Sequence, residues 1–174
     1  MNLEAEILRE HSKRQSVRLA QWIGNDSDRF RELMELFLKG EYRVTQRAAW
    51  IVSHCALKHP NLIVPWLKKM IRKMQEPGVH EAVPRNVLRI FEEIEIPPDL
   101  LGMIATLCFD YLGSGESPIA VKVYSMAILS RICMKEPDLK KELHAVIEQM
   151  LPYSGPAIRS RGKRVLKEIQ PAVT

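Results

Sequence analysis

Four stretches of the chain repeat one another at nearly even spacing. Each opens with an aliphatic residue and continues with apolar residues at helical spacing, and the starts lie about 38 residues apart. The four stretches begin at Val44, Val83, Val121 and Ile158. A second marker follows the same period, because a turn of Pro and a short polar residue precedes another apolar helix at Pro60, Pro98 and Pro137. Two markers that share one period predict a helical solenoid, an array of stacked helical hairpins.

Each repeat is predicted to consist of a helix, a short turn and a second helix. Apolar residues such as Phe30 and Phe37 fall on one face of the first helix. Short polar residues such as Asp99 and Asp138 mark helix starts, and Gly40 marks an end. We therefore expect an all-α fold, a right-handed α-α superhelix in a single domain. Its predicted parts, within residues 1–174, are an N-terminal capping helix at 3–23 and repeats at about 25–58, 61–94, 98–133 and 137–169.

The composition is that of an ordinary globular protein and excludes several classes. Apolar residues make up 46% of the chain and charged residues 27%. The longest apolar run, from Leu100 to Phe109, is much shorter than the roughly 20 residues of a membrane helix, and the N-terminus lacks the layout of a secretory signal. We expect a cytoplasmic protein with no membrane partner. Cys55, Cys108 and Cys133 stand singly among apolar neighbours, so we expect small core residues rather than disulfides or zinc ligands.

No pattern in the sequence indicates catalysis or a bound metal. The five histidines are scattered along the chain and belong to no Cys/His set that gives positive evidence of a metal site. The chain lacks the nucleophile elbow, the HExxH helix, the phosphate-binding loop and the dinucleotide fingerprint. The sequence therefore predicts no catalytic residue, no metal and no cofactor, and a non-enzymatic role.

The second helices carry the candidate binding residues. In a solenoid these helices line the concave surface, so equivalent positions form columns across the repeats. Planar cations, an amide and two aromatic rings suit an acidic protein or peptide, bound by bidentate guanidinium contacts and stacking. An alternative is that the arginines are only a solvated face and that Trp50 packs between repeats. The predicted partner-binding residues are Arg47, Trp50, Arg85, Asn86, Arg89, Tyr124, Arg161 and Arg164.

The pattern resembles the HEAT-repeat class of α-solenoids from about residue 25 to 169. In that class a Pro begins the first helix, as at Pro60, Pro98 and Pro137. A Val-Arg pair opens the second helix, a slot that reads Val44-Thr45, Val83-Pro84, Val121-Lys122 and Ile158-Arg159. The first two repeats therefore depart from the class pattern. The run from Glu41 to Trp50 is similar to that of a family of small bacterial HEAT-like proteins. The resemblance is to a fold and not to one activity, so what it implies is an α-solenoid scaffold.

A nucleic-acid partner is the alternative function. The scaffold is similar to that of HEAT-like alkylpurine DNA glycosylases, which cradle duplex DNA and use a Trp and an Asp around the damaged base. Trp50 fits that comparison, but the aspartates fall on first helices or their turns, so DNA binding or repair stays second. A small-ligand site using Trp50 and Tyr124 is a further possibility. The net charge of +5 is concentrated near the last helix, whose unpaired edge is also a candidate surface for self-association.

Overall fold

The computed structural model describes residues 1–170 of the chain, and within them regular structure is helical, with no strand. The predicted all-α class is confirmed for these residues. The chain divides into two compact units, Met1–Glu95 and Ile96–Thr174. The predicted single domain stays a prediction.

The first unit is built from helical hairpins that follow the predicted helix, turn, helix order. α3 packs against α4, and α6 packs against α7. α4 also packs against both α2 and α7, so it is the central helix of this unit. A 3-10 turn, Val64–Trp66, joins α5 to α6. The helices are α1 (Leu3–Arg9), α2 (Lys13–Ile23), α3 (Ser27–Lys39), α4 (Tyr42–Lys58), α5 (Pro60–Ile63), α6 (Leu67–Met74) and α7 (Ala82–Glu93).

The second unit contains two further hairpins. α8 packs against α9, and α9 packs against α11, which also contacts α10. The prolines of the repeat begin 3-10 turns that lead into the first helix of each pair, Pro98–Leu100 and Pro137–Leu139. Proline suits this place because its missing amide hydrogen would have no partner in the first turn. The helices are α8 (Leu101–Gly113), α9 (Ile119–Lys135), α10 (Lys140–Met150) and α11 (Pro156–Ile169).

The N-terminal helix expected at 3–23 is two helices. Glu10 has extended backbone angles and ends α1, and Ser12 begins α2 by accepting a hydrogen bond from the amide of Gln15 at 3.1 Å. The side-chain nitrogen Nε2 of the buried Gln15 donates to the backbone carbonyl of Glu6 at 2.8 Å. The polar stretch that joins α1 to α2 therefore forms a capped bend, which packs α1 separately against α4.

The three cysteines lie in the core, as the sequence predicts. All are buried and free of disulfides. Burial raises the pKa of Cys55 and of Cys108 to about 12, and it also raises the pKa of Cys133. Their thiolates, the reactive form, are therefore strongly disfavoured at neutral pH.

Candidate functional site

The predicted binding residues divide between the two units. Arg47 and Trp50 lie on α4, and Arg85, Asn86 and Arg89 lie on α7, which packs directly against α4. The remaining three lie in the second unit, with Tyr124 on α9 and Arg161 and Arg164 on α11. The structure therefore brings five of the predicted residues onto neighbouring helices of one unit, and that unit holds the candidate site.

Trp50 lies between two histidine rings. The ring of His11 meets it edge-on, with centroids 6.0 Å apart, and the ring of His54 is stacked on it at the same distance and an interplanar angle of 28°. His54 is one turn further along α4, whereas His11 comes from the bend between α1 and α2. The contact between Trp50 and His54 follows from helical spacing, but no local signal in the sequence predicts the contact between Trp50 and His11.

Arg47 forms hydrogen bonds with the C-terminal end of α1. Its guanidinium Nη1 donates to the carbonyl oxygen of Leu8 at 2.7 Å and to that of Ile7 at 3.3 Å. Carbonyls in the last turn of a helix lack partners within the helix. A cation there also interacts favourably with the negative end of the helix dipole. Arg47 therefore holds α1 against α4 and adds positive charge beside Trp50.

Asn86 faces the interior and offers no surface to a partner. Its side chain is 4% exposed, and its amide nitrogen donates to the carbonyl of Ala82 at 2.7 Å. The hydroxyl of Ser53 on α4 donates to the Asn86 side-chain oxygen at 3.3 Å. Asn86 thus links α7 to α4, a role different from the partner contact that helical periodicity suggests.

Arg85 and Arg89 occupy successive turns of α7, Arg85 exposed and Arg89 half-buried. Neither forms an ion pair or a hydrogen bond with another residue in the part of the chain that the structure describes. Other arginines of the same unit are neutralised, for example Arg14 by Glu10 at 3.5 Å and Arg31 by Asp28 at 2.8 Å. The guanidinium groups of α7 are therefore available to an external anion.

The pKa of each histidine next to Trp50 is lowered, first by burial and then by nearby positive charge. Burial lowers the pKa of His11, and the charges of Arg47 and Arg85 lower it further. Burial also lowers the pKa of His54, with a smaller contribution from Arg89 and Lys13. The Nε2 atom of His54 is buried and has no hydrogen-bond partner among the described residues. We call the set His11, Arg47, Trp50, His54, Arg85 and Arg89 the Trp50 cluster.

A pocket of about 540 Å³ adjoins the Trp50 cluster at Arg47. Leu8 and Tyr42 contribute unusually exposed apolar surface, at 42% and 59%. The Tyr42 ring also meets the ring of His80, whose Nδ1 accepts a hydrogen bond from the amide of Ala82 at 2.9 Å. Apolar surface beside a cationic cluster can hold a ligand that carries both an apolar group and a negative charge. The lining residues are Leu8, Glu41, Tyr42, Arg43, Val44 and Arg47.

The second unit contains the other three predicted residues, on α9 and α11. Tyr124 and Arg161 are half-buried, and Arg164 is exposed. Glu168, the acidic residue of α11, accepts a hydrogen bond from the hydroxyl of Ser130 on α9 at 2.7 Å. The carboxylate thus lies at the α9 side of the helix, and the solvent side of α11 is basic.

The described residues contain no cluster of three or more His, Cys, Asp or Glu side chains that could hold a metal ion. Nor does any described helix combine the length and hydropathy needed to cross a bilayer. What the candidate site offers chemically is positive charge, aromatic surface and hydrogen-bond donors.

The helical pairs and their period agree with one family. The sequence profile of the HEAT repeat domain matches residues 3–169. The chain belongs to the HEAT repeat family. Neither a comparison with curated proteins nor one with solved structures gives a match. The HEAT repeat assignment confirms the resemblance read from the prolines and the repeat period, and it identifies the chain as a helical-repeat scaffold. The Trp50 cluster lies within the first unit of this HEAT repeat protein.

Proposed function

We propose that this HEAT repeat protein is a non-enzymatic binding module and that its Trp50 cluster binds an acidic segment of a partner protein. The observation that carries the proposal is the pair of arginines on α7, Arg85 and Arg89, which lack an ion-pair partner among the described residues. The charges of Arg47 and Arg85 act on His11, and that of Arg89 acts on His54, the two histidines whose rings contact Trp50. An acidic partner would supply the missing charge.

The chemistry of the cluster favours carboxylates on a peptide. Guanidinium groups match carboxylates in a bidentate geometry, and Arg and Trp are the residues that most often dominate the energy of protein interfaces. The adjoining pocket offers Leu8 and Tyr42 as apolar surface. A segment with two or three acidic residues next to one large apolar residue would satisfy both surfaces.

The residues of the predicted site contribute differently to this proposal. Arg85 and Arg89 make the direct contacts, and Trp50 supplies the apolar wall between the cations. Arg47 acts through its charge while its hydrogen bonds hold α1. Contacts by Tyr124, Arg161 and Arg164 stay predictions for the second unit, and the proposal does not depend on them.

The test compares two double variants with the same spacing and the same change of charge. Arg85→Glu with Arg89→Glu reverses the cluster on α7, and Lys68→Glu with Arg72→Glu reverses an exposed pair on α6. The probe is a fluorescein-labelled peptide with three Glu residues and one Phe, and its control peptide has Gln in place of Glu. Circular dichroism establishes that both variants keep their helices.

We expect the acidic peptide to bind the wild type and the α6 variant equally, and the α7 variant at least about tenfold more weakly. The Gln peptide should bind none of them measurably. Equal binding of both peptides, or equal loss in both variants, would contradict the proposal. Duplex DNA that binds more tightly than the peptide, and whose binding is lost in the α7 variant alone, would instead support the nucleic-acid alternative.

A further inference from the structure

The last helix, α11, carries a row of basic side chains along its solvent side. Arg159, Lys163 and Lys167 are all exposed and stand four residues apart, so successive charges are separated by about 6 Å along the helix axis. The opposite side of the helix is buried through Ile158 and Val165. The row is therefore a continuous feature of one helix face rather than a scatter of surface charges.

The charge of this row is not compensated within the second unit. None of the three basic residues forms an ion pair with a residue that the structure describes, and Arg164 lies exposed beside them. The acidic residue of the same helix, Glu168, accepts the hydroxyl of Ser130 on α9. A line of evenly spaced cations that form no ion pair with a described residue fits a linear polyanion.

The residues beside the row favour a nucleic acid over an anionic membrane as its partner. Binding to an anionic membrane would require bulky apolar residues beside the cations, but the solvent side of α11 carries Pro156, Ala157 and Ser160 there. One large aromatic residue stands close to the start of the row, because Tyr153 ends the 3-10 turn before α11 and is 92% exposed. A basic track with an exposed aromatic ring is the combination that binds single-stranded nucleic acid, through phosphate contacts and base stacking.

We propose that the basic face of α11 and Tyr153 bind single-stranded nucleic acid without sequence preference. Arg159, Lys163 and Lys167 contact successive phosphates, and Tyr153 stacks on a base near the start of the helix. The proposal goes beyond the peptide site, since it uses a different surface in the other unit. The protein would then join an acidic protein segment to a nucleic-acid strand.

The test measures fluorescence anisotropy of a labelled oligo-dT of about 15 nucleotides with the full chain. The first variant carries Arg159→Glu, Lys163→Glu and Lys167→Glu. Its control carries Lys39→Glu, Lys68→Glu and Arg72→Glu, three exposed positions of the first unit, and thus has the same net charge. A third variant is Tyr153→Ala.

We expect wild-type binding to weaken steeply between about 50 and about 200 mM salt, in proportion to the number of phosphate contacts. The α11 variant should lose at least about tenfold in affinity at low salt, the control no more than about threefold, and Tyr153→Ala about fivefold. Circular dichroism and gel filtration verify that each variant folds.

Four results would overturn the proposal. They are no binding of oligo-dT at low salt, equal losses in the α11 variant and its control, tighter binding of a duplex of the same length, and preferential binding to phosphatidylserine vesicles. None of these results depends on Arg85 or Arg89. Failure of this proposal is therefore distinguishable from failure of the peptide-binding proposal.

Discussion

The guanidinium of Arg47 donates a hydrogen bond to the carbonyl oxygen of Leu8 at 2.7 Å, across 39 residues of sequence. Leu8 lies in the last turn of α1, and Arg47 lies on the central helix α4. The same guanidinium also reaches the carbonyl of Ile7. Arg47, which the sequence predicts as a partner contact, thus joins two helices by hydrogen bonds. Its substitution should therefore affect stability more than binding.

Arg47→Ala should lower the free energy of unfolding by about 1–3 kcal/mol, because the charged donor of two hydrogen bonds is lost. Urea unfolding followed by circular dichroism measures the change. Arg43→Ala, an exposed neighbour on the same helix, is the control and should change stability by less than about 0.5 kcal/mol. An Arg47→Ala protein as stable as the control would show that α1 does not depend on this contact.

The helices of this protein could be predicted from local sequence because their signals are local. Apolar spacing, prolines at helix starts and Gly40 at a helix end act within one or two turns, and the hairpins α3–α4 and α8–α9 follow these signals. The break between α1 and α2 was missed because apolar spacing continues on both sides of it. The local signals of the break are the polar stretch around it and Ser12, which caps α2.

The candidate site could be predicted only in part, since its details depend on contacts between distant segments. Periodicity assigns Asn86 to the solvent side of α7, but a helix within a stack is contacted on more than one side, and Asn86 faces Ser53 on α4. The neighbour of Trp50, His11, comes from a bend 39 positions earlier in the chain. Periodicity states which side of a helix is polar, and only packing decides which polar residues remain exposed.

Asn86→Ala should lower the free energy of unfolding by about 1–3 kcal/mol and leave acidic-peptide binding unchanged in the folded protein. The buried side-chain amide of Asn86 donates to the carbonyl of Ala82 on its own helix and accepts from Ser53 on α4, so its loss removes two buried hydrogen bonds. Arg85→Ala, one residue away and exposed, should do the opposite, weakening the peptide and sparing stability. Urea unfolding and peptide anisotropy on both variants measure the two effects. A stable Asn86→Ala protein with weakened binding would restore Asn86 to the contact surface.

Gly40→Ala should destabilise the protein by about 1–3 kcal/mol, because the end of α3 has no room for a methyl group. A Cβ there would lie 2.4 Å from the carbonyl oxygen of Leu36 and 2.8 Å from a methyl carbon of Val44. The backbone of Gly40 is ordinary, with φ of −65°, so close approach rather than conformational freedom requires the glycine. Gly102→Ala on α8 is the matched control, because no atom beyond the adjacent backbone of its own helix lies within 4 Å of its Cβ position. It should be neutral or stabilising by up to about 1 kcal/mol, and thermal unfolding of both variants decides.

The free energy of unfolding should fall as the pH falls below 6.5, the ordinary pKa of histidine. Burial, with repulsion from Arg89 and Lys13, holds the pKa of His54 below that value in the folded protein, and burial with Arg47 and Arg85 does the same for His11. The unfolded chain therefore binds protons at a pH where the folded chain does not, so protonation favours unfolding. The loss should extend from 6.5 down to the folded pKa and then stop.

Urea unfolding at several pH values above about 5 isolates this histidine effect. The carboxylates with lowered pKa, Glu6, Glu10 and Asp26, lose their contribution to stability only as the pH falls toward and below their ordinary pKa values of 4.5, 4.5 and 3.8. His54→Gln should flatten the dependence, and His11→Gln combined with it should flatten it further. His59→Gln keeps both imidazoles beside Trp50 and should leave the slope as in the wild type. An unchanged slope in the double variant would show that the titration of the Trp50 cluster does not control stability in this range.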